Sequence, residues 1–225
     1  MAKLSIVATP IGNLEDITFR ALRTLKEADF VLCEDTRITK RLLDHYQVKT
    51  PTISYHQHSG RFKTDKVIDL LRSGKNLALV TDAGTPGISD PGSQLVSAVR
   101  EGLGDSVQLE SIPGPSALVA AAALAGNGFD RFLFLGFLPH KKGRQTKIKE
   151  IAASSYPVIL YESKHRVLKL LTELGQQEVI VARELTKLHE HLYLGRADEV
   201  AVELESDPNN LKGEFVILIK STLDK

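Results

Sequence analysis

The sequence predicts an α/β protein: a first domain with a parallel sheet and helices packed on it, then a second α/β domain with a mixed sheet. Two observations carry this. From Leu4 to Ile112, short apolar runs alternate with stretches whose apolar residues recur at helical spacing, and strands alternating with helices build parallel sheets. Beyond residue 115 the late apolar runs are separated by short turns and read as partly antiparallel strands. The domains are therefore drawn at 1–114 and 115–225.

Leu4 to Ala8 is the first strand, ending in Thr9-Pro10-Ile11-Gly12-Asn13. The helix after it places Ile17, Ala21, Leu22 and Leu25 on one face, with Asp16 or Thr18 as cap. Phe30 to Cys33 is a second strand, closed by Glu34-Asp35-Thr36-Arg37, and Ile38, Leu42, Leu43 and Tyr46 mark its helix. Thr52 to Tyr55 is a shorter strand running into the polar segment His56 to Arg61. Val67, Ile68, Leu70 and Leu71 form the next helix face, with Gly74 as C-cap. The strand Leu77 to Val80 precedes the loop Thr81 to Gly92, and Leu95, Val96, Val99 and Leu103 give the helix beyond it. Val107 to Ile112 is the fifth strand, ending in Pro113-Gly114-Pro115-Ser116-Ala117. An alanine-rich helix, Ala117 to Ala125, opens the second domain. Strands follow at Phe132 to Leu135, Val158 to Tyr161, Val179 to Ala182, His191 to Leu194 and Phe215 to Ile219, with a basic connection and a helix between the first two.

The loop Thr81 to Gly92 dominates the pattern. Gly or Pro fills five of its twelve places. A helix cap alone would explain Asp90 and Pro91, but a cap needs two or three residues. In a parallel sheet the strand C-termini share one edge, where α/β proteins hold ligands. Thr9 to Asn13, Thr81 to Gly92 and Pro113 to Ala117 should therefore converge on one crevice, forming a small-molecule pocket.

Composition excludes several classes. A hydrophobic fraction of 42% and a charged fraction of 25% are ordinary for a soluble globular chain. The single cysteine, Cys33, forbids an internal disulfide, fits a reducing cytoplasm and sits in an apolar run as a structural thiol. The apolar run at Leu4 to Ala8 is too short for a signal-peptide core or a membrane span. A net charge of +1 makes no global case for nucleic acid, so any such partner needs a local basic patch. Neither G-x-G-x-x-G nor a Walker A loop occurs, which weakens NAD and ATP, and there is no G-x-S-x-G elbow. His56-x-His58 and His189-x-His191 have ligand-like spacing, but no carboxylate or cysteine cluster accompanies them, and no metal is expected. Asp82 and Asp90 can serve ribose hydroxyls or a cationic ligand. Asp35 or Thr36 can cap the next helix or act chemically, with Arg37, Lys40 and Arg41 adding positive charge on the same edge. Farther on, Lys141, Lys142, Arg144, Lys147 and Lys149 make five basic residues in nine positions, a candidate for phosphate contacts.

Nine segments in order resemble the ribosomal-RNA branch of the tetrapyrrole methylase superfamily. They are Ala8 to Leu14, Glu34 to Arg37, Asp82 to Pro86, Ser89 to Gly92, Pro113 to Pro115, Gly136 to Pro139, Tyr161-Glu162 with His165-Arg166, Arg183 to Lys187, and Lys212 to Glu214. The resemblance implies two α/β domains of the class III methyltransferase type, S-adenosylmethionine in the cleft between them, and a homodimer. It implies a cofactor site of Pro10, Asp82, Gly84, Thr85, Ile88, Ser89, Ser116, Ala117, Tyr161, Glu162, Leu185, Gly213 and Glu214. It also implies 2′-O-methylation of a cytidine ribose in the decoding region of 16S rRNA, with the free RNA or the 30S subunit as partner. Gly84-Thr85-Pro86 stands where tetrapyrrole methylases typically carry Gly-Asp-Pro, which argues against a porphyrinoid substrate. A ribose hydroxyl is a poor nucleophile, so a base should assist. Motif position suggests Asp35 as base and Arg37 or Lys187 as stabilising charge, with Glu162 and His165 as alternatives. Lys40, Arg41, Lys141, Lys142 and Arg144 are the expected RNA contacts. Competing readings are a tetrapyrrole or diphthamide methyltransferase of the same fold, and a non-catalytic RNA-binding protein.

Overall fold

The computed structural model describes residues 1–56, 60–90, 92–126 and 128–221, with the backbone alone at 60 and 61. The chain divides into two compact units, Met1–Ser116 and Ala117–Lys225.

The first unit is β1 (Ala2–Val7), α1 (Phe19–Glu27), β2 (Phe30–Cys33), α2 (Thr36–His45), β3 (Thr52–Ser54), α3 (Gly60–Arg72), β4 (Leu77–Leu79), α4 (Ser93–Leu103) and β5 (Val107–Ile112). All five strands are parallel, in the order β3-β2-β4-β1-β5. The connections β1→β2 and β2→β3 step one way across the sheet, and β3→β4 and β4→β5 step back. With right-handed crossovers, α1 and α2 must then cover one face and α3 and α4 the other. The cores agree. Ala21, Leu25 and Leu43 pack with Val7, Val31 and Ala78, whereas Val67, Leu71, Leu95 and Val99 pack with Leu4, Leu32 and Leu79. The alternation of partners along β1, β2 and β4 is the period-two alternation of a strand buried on both faces.

Local signals set the helix starts. Thr18 accepts the Ala21 N–H, and Asp35 accepts the Arg37 N–H. Ile17 lies before its helix, not on it. Helix α4 starts after Gly92 with no side-chain cap, so capping does not account for Asp90. Pro91 lies outside the described residues, as do Gln57, His58, Ser59 and Asn127.

The second unit is α5 (Ala117–Ala125), β6 (Leu133–Phe137), α6 (Arg144–Ala152), β7 (Val158–Ser163), α7 (Val167–Leu174), β8 (Glu178–Arg183), β9 (His191–Arg196), α8 (Ala197–Glu205) and β10 (Glu214–Ile219). Its sheet is mixed, in the order β6-β7-β10-β8-β9. β6 and β7 are parallel; β10 runs antiparallel to β7 and β8, and β9 antiparallel to β8. The expected short turn between the last two strands is wrong. A full helix, α8, intervenes, and it buries Ala197, Val200 and Leu204 in the core with α6 and α7. No described helix is long and apolar enough to cross a membrane.

Candidate cofactor and catalytic site

In the first unit, four strand-end loops are tied to one another. Thr9 N–H donates to Gly84 O at 2.9 Å, and Gly84 N–H returns a bond to Thr9 O at 3.0 Å. Thr9 Oγ1 donates to Thr81 O at 3.1 Å. Thr85 Oγ1 donates to Pro115 O at 3.2 Å, and Asp82 Oδ1 accepts the Asp35 N–H at 3.1 Å. The loops after β1, β2, β4 and β5 thus form one stitched rim at the C-terminal edge of the sheet. Gly84 adopts φ +83°, and its bare Cα lies between Ile11 and the Pro115 carbonyl. Pro10, Asp82, Gly84, Thr85 and Ser116 all belong to this rim. Ile88 and Ser89 lie farther out, exposed, and Ser89 is held at φ +63°, a strained setting of the kind found at ligand clamps.

The rim is electrostatically unusual. Burial pushes the Asp90 carboxyl up to about 6; the Glu34 and Asp82 charges add to this, and a Thr81 hydroxyl contact only partly offsets it. Burial also raises Glu34, reinforced by Asp82 and relieved by His56. Among the described residues no lysine or arginine pairs with Glu34, Asp82 or Asp90. Asp35 is the opposite case. Arg37 grips its carboxylate with Nη2–Oδ2 at 2.6 Å and Nε–Oδ1 at 3.1 Å, and with backbone N–H bonds this holds it far below the usual range. The same carboxylate caps α2, and its pairing with Arg37 makes it a weaker base than a free aspartate. Arg37 is 85% exposed and bound to that same group.

In the second unit, strand register brings some expected residues together and separates others. Glu214 pairs with Ser163, and Phe215 with both Glu162 and Arg183, so the ends of β7 and β8 meet the start of β10 at one edge. Successive strand residues face opposite ways. Tyr161 therefore lies on the α5 face, its hydroxyl accepting the Leu118 N–H at 3.1 Å beside Ala117, with Phe134 and Phe137 edge-on to its ring. Glu162 points into the core, 2% exposed, where Arg166 Nη2 lies at 2.7 Å and Arg144 Nη1 at 3.6 Å. Glu162 is a buried counter-ion, which removes its carboxylate from cofactor contact and from the alternative bases.

Arg144 is corrected by the same geometry. It is 3% exposed, with Nη2 at 2.8 Å from Glu173, and cannot meet RNA. Lys147 pairs with Glu150 at 2.6 Å. The basic run thus reduces to exposed Lys141, Lys142 and Lys149.

Lys187 is pinned rather than free. Its Nζ donates to Glu184 Oε1 at 2.8 Å and to Glu214 Oε2 at 2.9 Å. Burial alone would lower its pKa, but these two carboxylates raise it. Glu184 Oε1 also accepts the Glu214 N–H at 3.0 Å. Its carboxyl lies where a side chain on Gly213 would go: a Cβ there would clash with Glu184 Cγ, Cδ and Oε1. Glu184 at φ +52° and Thr186 at φ +66° bend the loop that holds Leu185 in the interior. Glu184 is thus the latch between the β8 end and the β10 start. No spacing rule pointed to it. His189 and His191 line an open groove of about 440 Å³ with Arg183, Leu188 and Tyr193.

Solved structures share this fold of two α/β units. Diphthine synthase superimposes with a TM-score of 0.74 at 16% identity over 97% of this chain and 90% of its own. Uroporphyrin-III-C-methyltransferase from Thermus thermophilus gives 0.67 at 20% identity over 98% and 94%. The chain belongs to the Tetrapyrrole (Corrin/Porphyrin) Methylases, whose family model matches residues 3–201. Proteins called Ribosomal RNA small subunit methyltransferase I are similar along most of the chain. The one from Synechocystis sp. is 46% identical over 97% of this chain and 79% of its own length. The one from Thermotoga maritima is 43% identical over 91% and 93%.

The chain is therefore an S-adenosylmethionine-dependent methyltransferase. The rim suits that cofactor. Glu34 and Asp90, raised by burial and by neighbouring negative charge, are stabilised as carboxylates by a cationic ligand, and S-adenosylmethionine carries both a sulfonium and an ammonium.

Proposed function

We propose that this chain methylates the 2′-hydroxyl of a cytidine ribose in the decoding region of 16S rRNA, acting in the cytoplasm as a homodimer on the RNA or the 30S subunit. One observation carries the substrate: similarity at 41–46% identity, over nearly the whole chain, to proteins named for small-subunit ribosomal RNA methylation. The solved structures are too distant in sequence, at 16–20% identity, to argue for their own substrates.

The cofactor supplies an electrophilic methyl carbon, and the chain supplies position and charge. Catalysis of an in-line displacement is largely the placing of two reactants. In the first unit the residues assigned to the donor are the rim of Pro10, Asp82, Gly84, Thr85 and Ser116 with Ile88 and Ser89; in the second they are Ala117, Tyr161, Leu185, Gly213 and Glu214. Asp90 is the candidate for taking the ribose proton ahead of Asp35, because it lies in the same rim without an Arg or Lys partner among the described residues, and burial with the Glu34 and Asp82 charges raises the basicity of its carboxyl. Lys187 orients the β10 edge through Glu214.

Labelled methyl transfer to 30S subunits from a strain lacking the enzyme tests the reading. One modified cytidine ribose is expected, and no incorporation sinks it. Asp90→Asn should lower kcat at least tenfold, against a small change for Asp35→Asn; the reverse ranking returns the role to Asp35.

A further inference from the structure

Helices α1 and α2 share one face of the first sheet, and their outer surfaces are strongly basic. Arg20, Arg23 and Lys26 on α1 and Arg37, Lys40 and Arg41 on α2 are all exposed, against Glu27 and Asp44 as the acids of the two helices. Arg23, Lys26, Lys40 and Arg41 have no ion-pair partner among the described residues. Arg20 reaches the sheet edge, donating to Ser111 O at 3.3 Å. The acids Glu15 and Asp16 precede α1, near Tyr46.

The two helices form a stiff platform. Thr50 Oγ1 donates to Leu25 O at 2.6 Å, tying the segment after α2 to the end of α1, and the Tyr46 hydroxyl donates to Leu14 O. Both helices start at the rim edge, because each follows the C-terminal end of its strand. At that end Phe19 is 92% exposed. An aromatic ring bare to water beside arginines has no packing role, but it can stack on an unpaired base.

We propose that this α1–α2 face docks the sugar-phosphate backbone of the substrate RNA, with Phe19 stacking on a base near the rim. The proposal rests on the RNA substrate given above. Unpaired cations on a rigid surface suit phosphates, because releasing condensed counter-ions drives such binding. The run at Lys141 to Lys149 keeps only Lys141, Lys142 and Lys149 for such contacts, since its other two charges are neutralised by Glu150, Glu162 and Glu173.

The test uses the double variants Arg23→Glu/Lys26→Glu and Lys40→Glu/Arg41→Glu, the single variant Phe19→Ala, and Lys66→Glu/Arg100→Glu on the opposite face as control. These side chains are exposed, so melting temperature and calorimetric S-adenosylmethionine affinity should match wild type. The KM for 30S subunits should rise at least tenfold in each α1 or α2 double variant, and less than twofold in the control. Binding of a labelled 16S fragment should lose salt dependence, its log–log slope flattening by about 0.7–0.9 per phosphate contact removed. An unchanged KM, an equal loss in the control, or a loss on 30S with normal binding to naked RNA overturns the docking face; the last outcome would mean that the face meets a ribosomal protein. Absence of methyl transfer by the wild type would overturn the function instead, and the fragment-binding measurement would still judge the face.

Discussion

The two units handle buried carboxylates in opposite ways. At the first rim, Glu34 and Asp90 are desolvated beside Asp82 and are held above their usual range. In the second unit each buried carboxylate has a cation: Glu162 has Arg166 and Arg144, and Glu184 has Lys187. Compensated charge is architecture, because the ions satisfy one another and fix a loop or strand end. Charge left uncompensated destabilises the apo fold and is relieved by a cationic ligand.

The largest test of this contrast is the second unit's core. Glu162→Leu leaves the Arg166 guanidinium without its carboxylate and Arg144 with Glu173 alone, and breaking such a cluster costs about 3–5 kcal/mol. A fall in the urea midpoint measures it; a loss below about 1 kcal/mol would mean that the cluster is not desolvated. The latch comes next. Gly213→Ala forces a Cβ into Glu184 at φ +103°, for about 2 kcal/mol. Glu184→Ala removes the obstruction, so the double variant should be more stable than the sum of the singles predicts. Additivity would show that the two residues do not meet.

The first unit should respond with the opposite sign. Asp90 has its pKa raised from 3.8 to about 6, so the native state binds its proton more tightly than the unfolded chain. Its favourable contribution is complete below about pH 4 and is lost as pH climbs through 6. Above that, the fold carries a desolvated anion. Asp90→Asn should therefore stabilise the apo protein at pH 8 by about 1–2 kcal/mol, after allowance for solvent screening, and do little near pH 3.5. Denaturant midpoints at the two pH values decide it, and equal effects at both would assign the gain to something other than charge.

These effects also mark what the sequence could reveal. Strands and helices of the first unit were legible because each has a period, and Gly/Pro loops at strand ends announced the rim. Helix α8 was missed, since Asp198, Glu199, Glu203 and Glu205 mask its three buried positions. Arg144 and Glu162 were misread because both carry motif-like company in the chain. Only strand alternation and the packing of α6 and α7 turn them inward. Glu184 left no trace in spacing, because its partners at 213 and 214 arrive through β10 pairing, thirty residues on.

The smallest predicted effect concerns Asp35, where two roles separate cleanly. As a cap, its carboxylate accepts the Arg37 N–H at 2.8 Å, and asparagine caps a helix about as well as aspartate. As a base, the carboxylate itself would be indispensable. Asp35→Asn should therefore leave the melting temperature close to wild type, whereas Asp35→Ala should lower it. The Arg37 pair adds little, because an ion pair with one partner this exposed is screened by water. Thermal melts of both variants give the ranking. If asparagine proves as costly as alanine, the charge on Asp35 matters to the fold, and the rim would then contain a third carboxylate that is more than a cap.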